Sequence, residues 1–208
     1  MKPYYQDSAV TIYHGDCRDI VPTLDKFDLL LTDPPYGIGE HGGKCRTRGI
    51  KIPNHEKMNW DNKVPEKEIF NILREKTIHQ IIWGGNYFAD MLPASRCWLY
   101  WDKLMGGDFS DGELAWTSFD KVLKKFTMAN KGQKNQHPTQ KPLELMTWCI
   151  EFYKPENYEW QTILDPFAGS GTTGRAAKDL GRKATLIEME EKYCEIAAKR
   201  MEQEVFAL

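Results

Sequence analysis

Few features of exported, membrane-spanning or metal-binding proteins occur in this sequence. Its 208 residues include five cysteines, an odd number with no Cys-x-x-Cys pair, so neither a disulfide framework nor a zinc knuckle is indicated. No apolar stretch approaches the roughly 20 residues needed to cross a membrane, and the N-terminal residues lack the apolar core of a signal peptide. His41, Cys45 and His55 follow no recognised ligand spacing, so no metal site is expected. These absences favour an intracellular, cytoplasmic protein.

An excess of positive charge is also absent, but basic residues are concentrated in two segments. The formal net charge is −2, whereas neutralisation of phosphates by Lys and Arg supplies most nonspecific affinity for nucleic acid. The first segment contains Lys44, Arg46, Arg48 and Lys51, and the second contains Lys121, Lys124, Lys125, Lys131 and Lys134. Charge runs are usually solvated surface, so a plain loop and a nucleic-acid contact are both open interpretations.

The hydrophobic pattern predicts alternating strands and helices, which is typical of an α/β fold. The predicted strands span residues 9–16, 27–33, 79–86, 96–103, 113–119, 161–166 and 183–188. Residues 190–205 are predicted to form a closing helix, because apolar residues recur on one helical face. That face contains Tyr193, Ile196, Ala197 and Met201.

A glycine-rich segment follows the strand at 161–166 and opens a helix. Gly169, Gly171 and Gly174 satisfy the G-x-G-x-x-G spacing, so a dinucleotide-binding dehydrogenase is one interpretation. Asp165 at the mouth of the loop would repel a pyrophosphate but attract a cationic ligand that carries an amine. S-adenosylmethionine fits that description.

Glu188 ends the next strand, 19 residues beyond Gly169. This is the spacing at which a carboxylate holds the ribose diol of a nucleotide cofactor. The alternative is that Glu188 only provides a negative charge in the first turn of the closing helix.

A second polar motif, Asp33-Pro34-Pro35-Tyr36, follows the apolar strand at 27–33. Open α/β sheets build ligand sites at the carboxyl ends of their strands, where this motif lies. Proline stops the strand and leaves nearby carbonyl groups available as acceptors. Asp33 adds a carboxylate and Tyr36 an aromatic face, a combination suited to a planar base with an amino group. Alternatively, the prolines only end a strand.

Together the two motifs resemble those of the DNA amino-methyltransferases, S-adenosylmethionine enzymes that methylate exocyclic amines. In that family D-P-P-Y is the catalytic motif and F-x-G-x-G, here Phe167-Ala168-Gly169-Ser170-Gly171, is the cofactor motif. His137-Pro138-Thr139-Gln140-Lys141-Pro142 is similar to the segment that helps to bind the methionine end of the cofactor. Because the catalytic motif comes first, the order resembles the permuted group called class β.

This resemblance implies a Rossmann-like methyltransferase fold with a circularly permuted motif order. Its mostly parallel sheet would have seven strands in the order 3-2-1-4-5-7-6, with the seventh antiparallel. Residues 9–16 and 27–33 would be strands three and four, the next three predicted strands five to seven, and 161–166 and 183–188 one and two. Strands one and four are then neighbours, so Asp165 and Asp33 meet although 132 positions separate them.

The resemblance also implies methyl transfer to the N6 amine of an adenine rotated out of double-stranded DNA. In this family, aspartate at the first motif position is usual for adenine and serine for cytosine-N4. Asp33 therefore favours adenine, and the N4 amine of cytosine is the alternative. The catalytic candidates are Asp33, Pro34, Pro35 and Tyr36. The cofactor-binding candidates are Asp16, His137, Thr139, Lys141, Asp165, Phe167, Gly169, Ser170, Gly171, Thr172 and Glu188. Asp16 would contact the cofactor adenine, or it only caps the helix that begins near Cys17.

One domain, residues 1–208, is expected to carry these sites. A mobile loop at 39–65 and a target-recognition segment at about 120–136 would contact DNA. The candidate DNA contacts are Lys44, Arg46, Arg48, Lys51, Lys124 and Lys125. The target-recognition segment is short for the family, which leaves open a loose target, help from 39–65, or a homodimer that shares recognition.

Two alternatives come from other functional classes: a noncatalytic DNA-binding relic and a nicotinamide-dependent oxidoreductase. An RNA or release-factor methyltransferase is a closer alternative, but its motif order is normally the reverse.

Overall fold

The computed structural model describes residues 1–38, 64–104, 110–129, 140–153 and 160–203, which form a sheet with helices on both faces. The strands are β1 (Tyr5–Gln6), β2 (Val10–His14), β3 (Phe27–Thr32), β4 (Thr77–Trp83), β5 (Trp98–Asp102), β6 (Gly112–Thr117), β7 (Lys124–Thr127), β8 (Thr162–Asp165) and β9 (Lys183–Glu188). The helices are α1 (Cys17–Ile20), α2 (Lys67–Lys76), α3 (Leu143–Phe152), α4 (Thr172–Asp179) and α5 (Glu191–Met201). None of these helices is long and apolar enough to span a membrane.

The strand order in the sheet is β1-β2-β9-β8-β3-β4-β6-β5-β7. Its seven central strands reproduce the predicted order 3-2-1-4-5-7-6, and β6, the predicted strand seven, is antiparallel to both neighbours. The predicted fold is therefore confirmed. Two short strands were not predicted: β1 pairs antiparallel with β2 at one edge, and β7 pairs parallel with β5 at the other.

Some predicted boundaries differ from the observed ones. The strand predicted at 79–86 is β4, which begins at Thr77 and ends at Trp83. The closing helix ends at Met201 instead of residue 205. On its inner face Cys194 is buried, whereas Ile196 is only half-buried.

Burial on both faces explains why β3 is a near-continuous apolar run. Leu29 and Leu31 pack in the core beneath α3, α4 and α5, whereas Leu30 packs on the opposite side with α1 and α2. All three leucines are fully buried, which contributes about 1.5–3 kcal/mol each. Such two-sided burial is characteristic of a central strand in a parallel sheet.

Side-chain hydrogen bonds hold β3 and β8 together at both ends. At the amino ends, Oδ2 of Asp28 accepts from the amides of Gln161 and Thr162, at 2.8 and 2.9 Å. At the carboxyl ends, the Thr32 hydroxyl donates to Oδ1 of Asp165 at 2.8 Å. Between them the strands pair in parallel. These contacts set the strand that precedes the catalytic motif beside the strand that precedes the glycine loop.

Replacing Asp28 with alanine is expected to destabilise the fold. The change leaves two amides without their charged acceptor, so we expect the free energy of unfolding to fall by about 2 kcal/mol. Urea denaturation followed by circular dichroism measures this. Asp25→Ala, at a nearby exposed position, is the control and should change stability by less than about 0.5 kcal/mol. Equal stability of the two variants would contradict the role of Asp28.

Asp165 should make stability depend on pH. Burial raises its pKa from the usual 3.8 to about 6, although hydrogen bonds from Thr173 and Thr32 oppose the shift. Because the pKa is raised in the folded state, folding is favoured by the protonated carboxyl group. This contribution to the free energy of unfolding is complete below pH 3.8 and is lost as the pH rises through 6.

Asp165→Asn should remove this dependence. Between pH 4 and 7 the wild type is expected to lose up to about 3 kcal/mol of stability relative to the variant. Urea denaturation of both proteins across this range measures the difference, and other titrating groups cancel in the comparison. A stability difference that does not change with pH would show that the Asp165 pKa is not raised.

Candidate active site

The carboxyl ends of the parallel strands meet at one edge of the sheet, and the polar motifs lie there. Asp33 follows β3, the glycine loop at 166–171 follows β8, and Glu188 ends β9. Asp16 comes two residues after β2, which lies beside β9. Because β6 runs antiparallel, its early residue Glu113 reaches the same edge. The two motifs therefore border one site.

Glycines shape the loop between β8 and α4. Gly169 and Gly171 have φ values of 50° and 78°, in the left-handed region that other residues rarely adopt. A Cβ on Gly171 would also lie 2.8 Å from the Cβ of Ala197 in α5. The amide of Gly169 donates to Oε2 of Glu188 at 2.8 Å. The loop is thereby fixed against α5 and β9, with a backbone that a ligand can approach closely.

Two carboxylates flank this loop at the ends of β9 and β2. The second oxygen of Glu188 accepts from the amide of Glu190 at 2.8 Å, and burial raises the pKa of this carboxyl. Asp16 accepts from the amide of Arg18 at 2.8 Å and caps α1, a role that can coexist with the predicted contact to the cofactor adenine. Hydrogen bonds from the Arg18 side chain lower the pKa of Asp16. The contacts of both carboxylates with a cofactor stay predictions.

Asp165 is buried beneath the loop instead of lying open at its mouth. It is 3% exposed, and its oxygens accept from the hydroxyls of Thr32 and Thr173, at 2.8 and 2.6 Å, and from the amide of Phe167 at 3.2 Å. The carboxylate therefore organises the start of the loop and of α4. Its predicted attraction for a cationic ligand would act from below the loop.

An arginine of α5 links the glycine loop to the chain before α3. Arg200 donates to Oγ1 of Thr172 at 2.7 Å and to Oε1 of Gln140 at 2.8 Å. The Ser170 hydroxyl donates to the same Gln140 oxygen at 3.0 Å. Ser170 and Thr172 are buried, and burial lowers the pKa of Arg200. One guanidinium group of α5 thus contacts two segments that are distant from it and from each other in sequence.

Both oxygens of the Asp33 carboxylate accept hydrogen bonds inside the protein. The Tyr36 hydroxyl donates to Oδ1 at 2.5 Å, and the Lys141 ammonium donates to Oδ2 at 2.5 Å. Lys141 is 6% exposed and also contacts Oε2 of Glu113 at 3.0 Å. Glu113 in turn pairs with Lys103, the residue that follows β5. Four charges of alternating sign therefore form a chain that ends at the catalytic motif.

Burial and neighbouring charges oppose each other in this cluster. Burial raises the pKa of Asp33, an effect that Lys141 counteracts and Glu113 reinforces. Burial would also raise the pKa of Glu113, but the ammonium groups of Lys141 and Lys103 outweigh it and lower the pKa to about 2. Burial disfavours the charge of Lys141, yet the two carboxylates raise its pKa above the usual value. Lys141 and Glu113 are therefore ionised at neutral pH.

Aromatic rings and one glycine enclose Tyr36. Its ring stacks on that of Tyr87, with centroids 4.8 Å apart and an interplanar angle of 16°. Phe88 meets it edge-on at 6.1 Å. Gly84 has a φ of 70°, and a Cβ there would lie 2.1 Å from the tyrosine ring. The chain must turn at this glycine, which is why β4 ends before the predicted residue 86.

Two consecutive residues connect the glycine loop to the catalytic motif. Gln140 contacts Ser170 of the loop, and Lys141 contacts Asp33. The Lys141 contacts lie at the catalytic motif; its predicted role in cofactor binding stays a prediction. The hydrogen bond between Thr32 and Asp165 connects the same two regions from below. The catalytic motif and the glycine loop thus adjoin each other, as the strand order predicted.

Several predicted residues lie outside the described part of the chain. They are His137, Thr139, Lys44, Arg46, Arg48 and Lys51. Lys124 and Lys125 are exposed on the edge strand β7, and Lys125 pairs with Asp102 at 3.3 Å. The residues that the sequence prediction missed are Lys103, Glu113 and Arg200; Gln140 lay in the predicted segment 137–142 but was not singled out. Within the described residues, no cluster of His, Cys, Asp and Glu side chains could hold a metal ion.

Solved DNA methyltransferases share this fold. The structure titled M1.HpyAVI–SAM complex has a TM-score of 0.62 and 24% identity, covering 92% of this chain and 99% of that one. PvuII DNA methyltransferase, titled cytosine-N4-specific, has a TM-score of 0.64 and 17% identity, covering 99% of this chain and 91% of that one. At these identities the likeness concerns the fold.

Similarity in sequence extends over nearly the whole chain. Type II methyltransferase M2.LlaDCHI of Lactococcus lactis subsp. cremoris is 27% identical, over 96% of this chain and 92% of its own. Type II methyltransferase M.HinfI of Haemophilus influenzae is 28% identical, over 98% of this chain and 71% of its own. A family model described as DNA methylase, covering N6 and N4 methyltransferases, matches residues 46–199, more than half of the chain. The chain therefore belongs to the N6/N4 DNA methylase family.

Proposed function

We propose that this DNA methyltransferase transfers the methyl group of S-adenosylmethionine to the N6 amine of an adenine flipped out of double-stranded DNA. The observation that carries the proposal is the contact of Gln140 with the glycine loop and of Lys141 with Asp33. A methyl donor on the loop and an amine at Asp33 would then lie within one continuous pocket. Holding both in line supplies much of the rate acceleration of a direct transfer.

The glycine loop and the carboxylates beside it would hold the cofactor. In this proposal Glu188 binds the ribose hydroxyls, Asp16 the adenine, and the backbone from Phe167 to Thr172 approaches the methionine portion. The negative charge of Asp165 beneath the loop favours the sulfonium and ammonium groups. His137 and Thr139, with Lys141, complete the set that family resemblance assigns to the methionine end.

Asp33 would act as the acceptor for the target amine. An aromatic amine is a weak nucleophile because its lone pair is delocalised into the ring. Hydrogen bonds from its N–H groups to Asp33 and the Pro34 carbonyl would favour a pyramidal nitrogen and stabilise the positive charge that develops on it. No covalent intermediate is needed, in keeping with Cys17, Cys97, Cys149 and Cys194, which are buried.

Aromatic stacking would hold the flipped base. Extrusion costs a few kcal/mol, and stacking on one ring returns about 1–3 kcal/mol, so Tyr36 needs help from further contacts. Tyr87 stacks on Tyr36 and is 42% exposed, so it extends the aromatic surface toward solvent. Phosphate contacts would supply the rest, from Lys44, Arg46, Arg48, Lys51, Lys124 and Lys125.

The first experiment identifies which base is methylated. We expect purified protein, S-adenosylmethionine and DNA from a methylation-free host to yield N6-methyladenine, identified by mass spectrometry of the digested nucleosides. N4-methylcytosine in its place would refute the adenine assignment. An absence of any methylated nucleoside would favour the noncatalytic relic.

Asp33→Ala tests the acceptor in the same assay. Methylation should fall by at least about a hundredfold, as for loss of a group that stabilises transition-state charge. Affinity for S-adenosylmethionine, measured by calorimetry, should stay within about threefold, because Lys141 keeps Glu113 as a partner. Asp25→Ala is the control. Retained turnover would remove Asp33 from its assigned role.

Arg200→Met tests how the cofactor loop is held. The substitution removes the hydrogen bonds to Thr172 and Gln140, and we expect affinity for S-adenosylmethionine to fall roughly tenfold, equivalent to about 1.5 kcal/mol. Calorimetric titration measures this. Lys199→Met, which removes an exposed charge on the same helix, is the matched control. Unchanged affinity in the Arg200 variant would show that the loop needs no support from α5.

A further inference from the structure

One buried ammonium serves two carboxylates at the catalytic motif. Lys141 lies 2.5 Å from Oδ2 of Asp33 and 3.0 Å from Oε2 of Glu113. Its side chain is 6% exposed, so it cannot exchange a carboxylate for water without moving out of the core. Lys103 pairs with the other oxygen of Glu113, which holds this glutamate in place.

The contacts of Asp33 conflict with the entry of a target amine. Its two oxygens already accept from Tyr36 and Lys141, each at 2.5 Å. A carboxylate can accept more than two hydrogen bonds, but an amine beside Oδ2 would share that oxygen with a fixed positive charge. The amine itself becomes positive as the methyl group arrives, so the ammonium opposes the reaction as long as it stays on Asp33.

We propose that Glu113 is a positioning residue that takes over the Lys141 ammonium when the base enters, and so releases Asp33 to accept from the amine. This inference rests on the proposed role of Asp33 as the acceptor. The Lys141 ammonium already contacts both carboxylates, so a short shift toward Glu113 completes the exchange. The sum of charges on Asp33, Glu113, Lys141 and Lys103 stays zero, and no charge has to be created or exposed.

The surroundings of Lys141 favour this exchange over loss of its proton. Asp33 and Tyr36 face it from the end of β3, Glu113 from β6, and Cys149 lies within electrostatic range from α3. The rings of Tyr36 and Trp83 lie 5.5 and 5.9 Å from its nitrogen. Both carboxylates raise the pKa of Lys141, so the ammonium keeps its proton and must move to leave Asp33.

Glu113→Gln is the test, assayed by transfer of tritiated methyl groups from S-adenosylmethionine to DNA from a methylation-free host. At pH 7.5 we expect kcat to fall at least tenfold, while the calorimetric Kd for S-adenosylmethionine stays within twofold. With Glu113 neutral, Lys141 keeps Asp33 as its only carboxylate partner, so we expect the loss to fall on kcat and not on cofactor affinity.

Control variants separate positioning from folding. Glu113→Asp restores the charge and should recover at least part of the lost kcat. Glu195→Gln removes an exposed carboxylate that pairs with Lys199, and its rate should match the wild type. The melting temperature of each protein, followed by circular dichroism, identifies a variant that is merely unstable.

Two results would overturn the inference. One is a Glu113→Gln rate equal to the wild type. The other is a loss of rate with no recovery in Glu113→Asp, or a loss accompanied by an equal loss of affinity for S-adenosylmethionine, either of which would mark Glu113 as structural. Methylation of cytosine by the wild type would instead refute the adenine assignment and leave this comparison of rates intact.

Discussion

The parallel pairing of β3 with β8 is the constraint on which the site depends. The two strands lie more than a hundred positions apart in sequence, yet their carboxyl ends meet at the same edge of the sheet. The pairing is short, and buried polar contacts reinforce it at Asp28 and at Thr32. The second of these requires a carboxylate, Asp165, to be buried under the glycine loop, where burial raises its pKa to about 6. Burying the ionised Asp165 carboxylate therefore lowers the stability of the fold, at the position where this carboxylate orders the start of the loop.

A second connection closes the site from the other side. Gln140 and Lys141 are adjacent in sequence, but one contacts the glycine loop and the other contacts Asp33. Pro142, which follows them, has a φ of −58° and caps α3, so the step into the helix is restricted. Because a shift of this segment would move both contacts, the geometry of the loop and of the catalytic motif is coupled. The family resemblance assigned this segment to cofactor binding alone, whereas its contacts reach both the glycine loop and Asp33.

The apolar runs and turn residues predicted the central strands, and the family resemblance implied their order, which the structure confirms. The edge strands β1 and β7 were not predicted, because β1 has only two residues and the mostly exposed β7, with two lysines, lacks an apolar run. Glu113 lay within reach of prediction: the first residues of an antiparallel strand meet the carboxyl ends of its parallel neighbours. Its pairing with Lys141 had no signal in sequence. Arg200 had none either, because a charge on the polar side of a helix is usually solvated.

The charge at position 33 is matched to its surroundings. Asp33 and Glu113 supply two carboxyl groups, and Lys141 and Lys103 two ammonium groups, which pair with one another within a largely buried cluster. A serine at position 33, as in the cytosine-N4 motif, would leave an excess positive charge, because Glu113 would face two ammonium groups. Burying an uncompensated charge is costly, so we expect such a serine to lower stability unless one lysine also changes. The preference for an aspartate is therefore built into three side chains outside the catalytic motif, on β6, after β5 and before α3.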